Sequence, residues 1–215
     1  MIPRLFHFVW IGDESKRPDH YIETWRHHNP DVAIRVWGND ELRERPWINA
    51  AHMRDYVTRE LAGVADLMRW EILLDEGGIA LDADSVCLQR LPDWLFECEM
   101  FAAWENELAR PGLIATGAVG SMPGNPFIAR LVEDLSAIPS LAGRMAWQAT
   151  GPLCLTEAHR RHSYANLTLL PSHFFLPRHY TGTVYAGGGP IYADQCWDST
   201  KLLLAAGEST PGATS

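Results

Sequence analysis

The sequence predicts an α/β domain with parallel strands, and three stretches carry that expectation. Residues 4–11, RLFHFVWI, are rich in aromatic and β-branched side chains and end at Gly12-Asp13, a strand followed by a turn. A helical segment runs from Pro18 to His28, closed before Asn29-Pro30, and residues 33–37, AIRVW, then alternate like a second strand. Further on, Val64, Leu67, Met68 and Ile72 form an apolar stripe at helical spacing within Val64 to Glu76. Gly77-Gly78 stops that helix, and Ile79 to Asp82 is a short strand. Strands that alternate with helices in this way pack as a sheet with helices on its faces.

The other elements follow in order. Gly38-Asn39-Asp40 reads as a turn, Trp47 to Leu61 as a helix, and Met100 to Trp104 as a strand. A Pro-Gly-Asn turn opens a helix from Pro126 to Ile138, Gly151-Pro152 opens another to about His162, and Leu167 to Leu170 is a strand. Beyond Pro171 the chain is irregular and rich in Gly, Pro, His and aromatic residues. The 215 residues, 47% hydrophobic and 21% charged, can bury one substantial core, and no repeat or linker divides them. One domain over residues 1–205 with a disordered tail over 206–215 is the economical division.

Charge and cysteine usage narrow the function classes. A formal charge of −9 disfavours extended nucleic-acid binding and an anionic membrane surface. The four cysteines, Cys87, Cys98, Cys154 and Cys196, have neither CxxC nor metal-ligand spacing and read as reduced thiols of a cytoplasmic protein. No apolar run approaches the ~20 residues of a membrane span. The N-terminal MIPRLFHFVWIG has Pro3, Arg4 and His7 inside its apolar run and lacks a small-residue cleavage site, so it reads as a core strand rather than a signal peptide.

The stretch EGGIALDADSV, residues 76–86, places two acids one residue apart at the end of a buried strand. Side chains at i and i+2 of a strand point the same way, so Asp82 and Asp84 can meet at its C-terminal end, where open α/β sheets bind ligands. Two facing carboxylates repel unless a proton or a hard cation lies between them. The bland alternative is a turn carrying two exposed acids. Two enzyme classes use such a pair. A haloacid-dehalogenase-like phosphatase fits IALDADSV, with Asp82 as nucleophile, Asp84 as general acid and a downstream Asp194 and Asp198. That chemistry also needs a lysine between the acidic motifs, and the chain's two lysines, Lys16 and Lys201, both lie outside that interval. The second class is the nucleotide-sugar glycosyltransferases.

Four motifs in order decide between them: IPRLFHFVWIG, VADLMRWEILLDEGGIALDAD, GSMPGNPF and TGPLCLTEA. Together they resemble the glycosyltransferases with a DXD-containing sugar-binding region, over about residues 2 to 200. That family is related to the yeast initiating mannosyltransferase, bacterial capsule transferases and the glucosylating domains of clostridial toxins. The resemblance implies a GT-A type single domain with a mixed, mostly parallel sheet flanked by helices. It implies metal-dependent transfer of a sugar from a nucleoside-diphosphate sugar (UDP- or GDP-sugar) to an acceptor hydroxyl, with retention of anomeric configuration. The acceptor it implies is a glycan, while a lipid-linked sugar, a protein and a modified nucleobase stay open.

The resemblance also implies roles for residues. Asp82 and Asp84 would hold Mn2+ or Mg2+ on the diphosphate, with Gln195, Asp198 or Ser199 as candidates for the remaining ligand. Asp66 and Arg69, three apart on one helical face, would bind the donor sugar and steady the sugar or diphosphate, although the pair is also what an exposed i,i+3 ion pair looks like. Trp10 would stack on the base, with Val9 and Ile11 reading the base edge through their backbone. Asn39 and Asp40 are candidates for the base or ribose, and Glu105 for acceptor or donor sugar. Thr156 and Glu157 would cap or orient a helix.

Trp197 and Ser199 would belong to a C-terminal segment closing over the donor. This chain departs from the pattern there, with Gln195 where a His is usual, and Ala80 and Thr116 replace an aromatic and an Asn expected to line the pocket. The non-enzymatic competitor is an inactive relative that binds nucleotide sugar or glycan without turnover.

Overall fold

The structure, a computed structural model, describes residues 1–198 and Lys201. The tail predicted over 206–215 and Ser199 lie outside the described residues. The strands are β1 (Leu5–Val9), β2 (Ala33–Trp37), β3 (Gly78–Leu81), β4 (Ser85–Cys87), β5 (Met100–Asn106), β6 (Arg110–Ser121), β7 (Leu167–Leu170) and β8 (Ala193–Gln195). The helices are α1 (Asp19–His28), α2 (Asn39–Glu44), α3 (Ala50–Val57), α4 (Leu61–Glu76), α5 (Trp94–Glu97), α6 (Pro126–Ser136), α7 (Ala146–Ala149) and α8 (Pro152–His162).

Six strands form one sheet in the order β2-β1-β3-β6-β5-β7. β1 runs parallel to β2 and β3, β5 runs parallel to β7, and β6 is antiparallel to both β3 and β5. The sheet is therefore mixed and mostly parallel, as expected. Alternation sorts the side chains onto two cores. Phe6, Phe8, Ile79 and Leu81 pack with Trp25 of α1 on one face. Ala80 and Val119 pack on the other, with Leu67, Met68 and Ile72 of α4 and Ile128 of α6. Asp82 follows Ala80 by two residues, so it leaves the sheet on the α4 side.

The turn that feeds β3 is fixed from below. His7 on β1 is fully buried, its Nε2–H donating to Gly77 O at 2.8 Å and its Nδ1 accepting from Trp37 Nε1–H at 3.0 Å. Burial lowers its pKa, consistent with a neutral ring. Gly77 and Gly78 have φ of +65° and +92°, and a Cβ on Gly78 would lie 2.6 Å from Leu5 O. Only glycine tolerates both conditions.

Several elements differ from the sequence reading. The helix expected over Trp47–Leu61 is α3 alone, and the chain breaks at residues 58–60 before α4 begins at Leu61. The expected turn at Gly38-Asn39-Asp40 starts α2, whose Glu41 carboxylate accepts from Gly38 N–H at 2.8 Å. Two elements lie outside the sequence expectations: the 12-residue β6, and the β4–β8 ribbon, in which Ser85 pairs with Gln195. No helix among the described residues is long and apolar enough to cross a membrane.

Candidate active site

The site forms where β3 ends. Asp82 N–H bonds Gly117 O at 3.0 Å, extending the pairing with β6 by one residue. The chain then turns tightly, because Ser85 donates to Asp82 O through both its backbone N–H, at 3.1 Å, and its hydroxyl, at 2.7 Å. β4 follows and pairs with β8, which brings Gln195 back across the turn. Its Nε2 lies 3.2 Å from Asp82 Oδ2 and 2.6 Å from Asp84 Oδ1. Asp198 N–H donates to Asp84 Oδ2 at 2.8 Å, and Cys196 N–H to Asp84 O at 3.0 Å. Both carboxylates and one amide thus converge on a single point.

α4 supplies the wall behind them. Arg69 donates to Asp82 Oδ1 and to Thr116 O, and it stands 3.8 Å from Asp66 Oδ1. Asp66 and Arg69 are both buried, at 8% and 4% exposure, so they are not the exposed surface pair that their spacing also allowed. Thr150, at the start of the α7–α8 turn, joins the group. Its hydroxyl lies 3.1 Å from Asp66 Oδ2, and its carbonyl accepts from Trp70 Nε1–H at 2.8 Å. A Cβ on Gly117 would lie 3.0 Å from Asp82 Oδ2, and one on Gly151 would lie 2.9 Å from Asp66 Oδ2. Both glycines keep backbone close to the acids.

Two acids pair with one guanidinium and the charge of a third, Asp84, adds to the group, and the electrostatics reflect it. Burial pushes the Asp66 carboxyl up to about 7, the nearby Arg69 opposing and Asp82 adding to the shift. Burial and then the charge of Asp82 raise Asp84 to about 6. Burial acts against the Arg69 charge, but Asp82 and Asp66 outweigh it and its pKa is raised. The ligand-free fold therefore binds more protons at Asp66 than the unfolded chain between 3.8 and about 7, and this contribution to stability is lost as pH rises through that window. Asp66→Asn is expected to raise the melting temperature of the ligand-free protein at pH 8 by about 2–4 °C, worth ~1 kcal/mol in a domain of this size, with little change at pH 4. Thermal melts at the two pH values check this expectation, and an equal shift at both would refute it.

The remaining predicted residues divide into three groups. Val9, Trp10 and Ile11 are half-buried at the end of β1, where Trp10 N–H pairs with Trp37 O at 2.9 Å and its Nε1–H donates to Asp13 O at 3.0 Å. The Trp10 ring is not one of the fully buried core tryptophans. Asn39 is committed elsewhere: its amide accepts from Gly12 N–H at 2.9 Å and donates to Gly12 O at 2.8 Å, so it braces the Trp10 loop. Asp40 is an exposed partner of Arg43.

Glu105 is buried on β5 and bonded at 3.1 Å to Nε2 of His179, a residue the sequence reading missed. Thr156 ties α8 to β6, accepting from Ile114 N–H at 2.9 Å, and Glu157 is exposed. Ala80 corrects an expectation. It is a core residue at 1% exposure and lines no pocket, because its small side chain lets α4 lie close over β3.

Residues 15–101 match the family model described as the glycosyltransferase sugar-binding region containing a DXD motif. Over 190 residues the chain is 25% identical to an uncharacterized glycosyltransferase of Acanthamoeba polyphaga mimivirus, covering 82% of this chain and 74% of that one. It is 27% identical over 142 residues to inositol phosphoceramide mannosyltransferase 3 of Schizosaccharomyces pombe, covering 62% of this chain and 37% of that one. The fold is similar to the UDP-bound glycosyltransferase domain from the YGT toxin, at a TM-score of 0.56, 11% identity and 79% of each chain. It is also similar to the galactosyltransferase LgtC, at a TM-score of 0.53, 11% identity and 97% of each chain. The architecture is that of the GT-A glycosyltransferases.

Proposed function

We propose that this chain, whose residues 15–101 match the DXD sugar-binding region, is a glycosyltransferase that moves a sugar from a nucleoside-diphosphate donor to a glycan hydroxyl with retention of configuration and dependence on a divalent cation. One observation carries the reading: Asp82 and Asp84 converge on the Gln195 amide nitrogen with Arg69 and Asp66 behind them. The residues fit a hard cation. A positively polarised N–H group already lies between two carboxylates that repel each other, and turning the amide over would offer a third oxygen. Among the described residues no cluster of three or more His, Cys, Asp or Glu surrounds the point, so donor phosphate and water would complete the shell. Mn2+ or Mg2+ there would neutralise charge on the departing nucleoside diphosphate.

The chain's own groups do the rest. Arg69 holds Asp82 in place and keeps positive charge beside the diphosphate. Asp66 accepts hydroxyls of the donor sugar, and Trp10 stacks on the base. The acceptor oxygen bonds to the anomeric carbon on the face from which the phosphate leaves, the carbon–phosphate oxygen bond breaks, and the acceptor proton passes to the released phosphate oxygen. In support of retention, Glu105 is bonded to His179, and the other nitrogen of that ring is 2.7 Å from Thr181 Oγ1. Both are buried and engaged with one another or with Thr181, so neither is a free base.

Screening UDP- and GDP-sugars with Mn2+ for a thermal shift and for donor hydrolysis tests the donor reading, and separates an enzyme from an inactive binder. NMR of the anomeric proton in the first-formed product tests retention: an α-linked donor is expected to give an α-linked product, and a β linkage overturns the mechanism. Trp10→Ala is expected to weaken donor binding by ~1–3 kcal/mol, the worth of one stacked base. Isothermal titration of the donor checks it, and unchanged affinity in a folded variant moves the base site elsewhere.

A further inference from the structure

Beside the carboxylates runs a strip of half-buried aromatic side chains joined through one arginine. Trp147 of α7 stands under Arg110, whose guanidinium carbon is 5.4 Å from the ring centroid. Arg110, at the start of β6, donates to the Tyr180 hydroxyl at 2.8 Å. Tyr180 meets Trp197 edge to face at 5.6 Å, and Trp197 Nε1–H is anchored on Arg178 O at 2.7 Å. All four linked side chains are half-buried, neither core nor free surface. The strip joins the site at both ends. A Cβ on Gly151 would touch Asp66 Oδ2 at 2.9 Å and the Trp147 Cα at 3.1 Å, and the residue after Trp197 caps Asp84.

The chemistry of the strip suits one kind of molecule. Its rings offer flat apolar faces, while Arg110 and Tyr180 offer hydrogen-bonding groups between them. Only one guanidinium nitrogen of Arg110 is engaged among the described residues, and the Tyr180 hydroxyl, which accepts from Arg110, still has its own proton to donate. Apolar faces interleaved with fixed donors match a saccharide ring, which has C–H faces and hydroxyls around its edge. None of these side chains belongs to the DXD group.

We propose that Trp147, Arg110 and Tyr180 form the acceptor subsite and that its ligand is a saccharide, held so that a hydroxyl faces the sugar bound at Asp66. The inference rests on the donor reading given above and names what stands on its other side. Beneath the strip, the buried Glu105–His179 pair fixes Tyr180 from below, because the His179 ring lies 4.1 Å from the Tyr180 ring.

The test separates transfer from hydrolysis. With Mn2+ and the donor selected by thermal shift, the full chain is assayed for donor hydrolysis alone and for transfer to methyl α-mannoside, methyl β-galactoside and lactose. Trp147→Ala and Arg110→Met are each expected to raise the KM for the saccharide used by about tenfold or more, and Tyr180→Phe by about threefold. Donor hydrolysis should stay within about twofold of wild type in all three, because water needs no subsite. Equal loss of hydrolysis and transfer would assign these residues to the donor site or the fold, and an unchanged KM would remove them from the acceptor path. Either result overturns the proposal. A wild-type protein that hydrolyses donor yet glycosylates none of the saccharides overturns the saccharide acceptor while leaving the donor reading intact. Absence of both hydrolysis and thermal shift removes the donor reading and this inference with it.

Discussion

Asp84→Asn is expected to cut Mn2+-dependent donor turnover by about 10²–10³-fold, the usual cost of removing one group that stabilises charge in a transition state. The substitution is nearly isosteric. An Asn carbonyl can still accept from Asp198 N–H, so the turn after β3 should survive. What disappears is one of the two negative charges that converge on Gln195 Nε2. Asp84 has its pKa raised to about 6, chiefly by burial and then by Asp82, so the ligand-free fold is strained by its ionisation at pH 8. The variant should therefore melt no lower than wild type at that pH while losing the Mn2+-dependent thermal shift. Steady-state hydrolysis and a Mn2+ titration followed by melting temperature check both halves. Turnover at the wild-type level in the folded variant would remove Asp84 from the site.

Arg69→Met is expected to act on the fold itself, by ~3–5 kcal/mol, the scale for breaking a buried ion pair from one side. At roughly 2–4 °C per kcal/mol this lowers the melting temperature by on the order of 10 °C. The loss has three parts. Asp82 loses its charged partner, Thr116 O loses its donor, and Asp66 faces Asp82 with no positive charge between them. Adding Asp82→Asn to Arg69→Met removes one of the two stranded acids and should restore part of the stability, without restoring activity. A single variant melting within about 2 °C of wild type would show that the guanidinium does not hold the α4–β3 junction.

Periodic, strongly apolar stretches could be read in the sequence; close backbone approach could not. α4 announces itself through Val64, Leu67, Met68 and Ile72, and β1 through its aromatic run. β6 does not, because RPGLIATGAVGS reads as turn and small-residue sequence. The glycines that hide the strand are required by what it touches. A Cβ at Gly120 would lie 2.2 Å from the Phe101 ring, and one at Gly117 would press on Asp82. β4 and β8 are three residues each, too short to show a period.

In the site, Asp66, Arg69, Asp82, Asp84 and Gln195 were named from the sequence, and they meet in space. Thr150 and His179 were missed. Each acts through a contact with a residue more than 70 positions away, Asp66 and Glu105 respectively, and nothing local marks it. Asn39 shows what a polar residue at a strand end leaves open in the sequence: its amide closes the Gly12 loop.

The pairing of Ser85 with Gln195 has a consequence for the order in which the protein becomes active. The two aspartates, α4 and the N-terminal strands are all made within the first 84 residues, and the last group to meet them arrives about 110 residues later in a ribbon of three residues per strand. Closing so long a loop is a late event, since its entropy is lost before any contact rewards it. During synthesis the chain can have its sheet and its acids in place while the carboxylates still lack Gln195. A single proteolytic cut between residues 186 and 190, in an exposed stretch, would leave Gln195 on a short piece held only by the β4–β8 pairing and a few contacts, and so weaken its hold on the acids. The cut protein should keep its fold, since both cores are built mainly from residues before the cut, and bind the donor more weakly than the intact chain, which isothermal titration of nicked and intact protein checks.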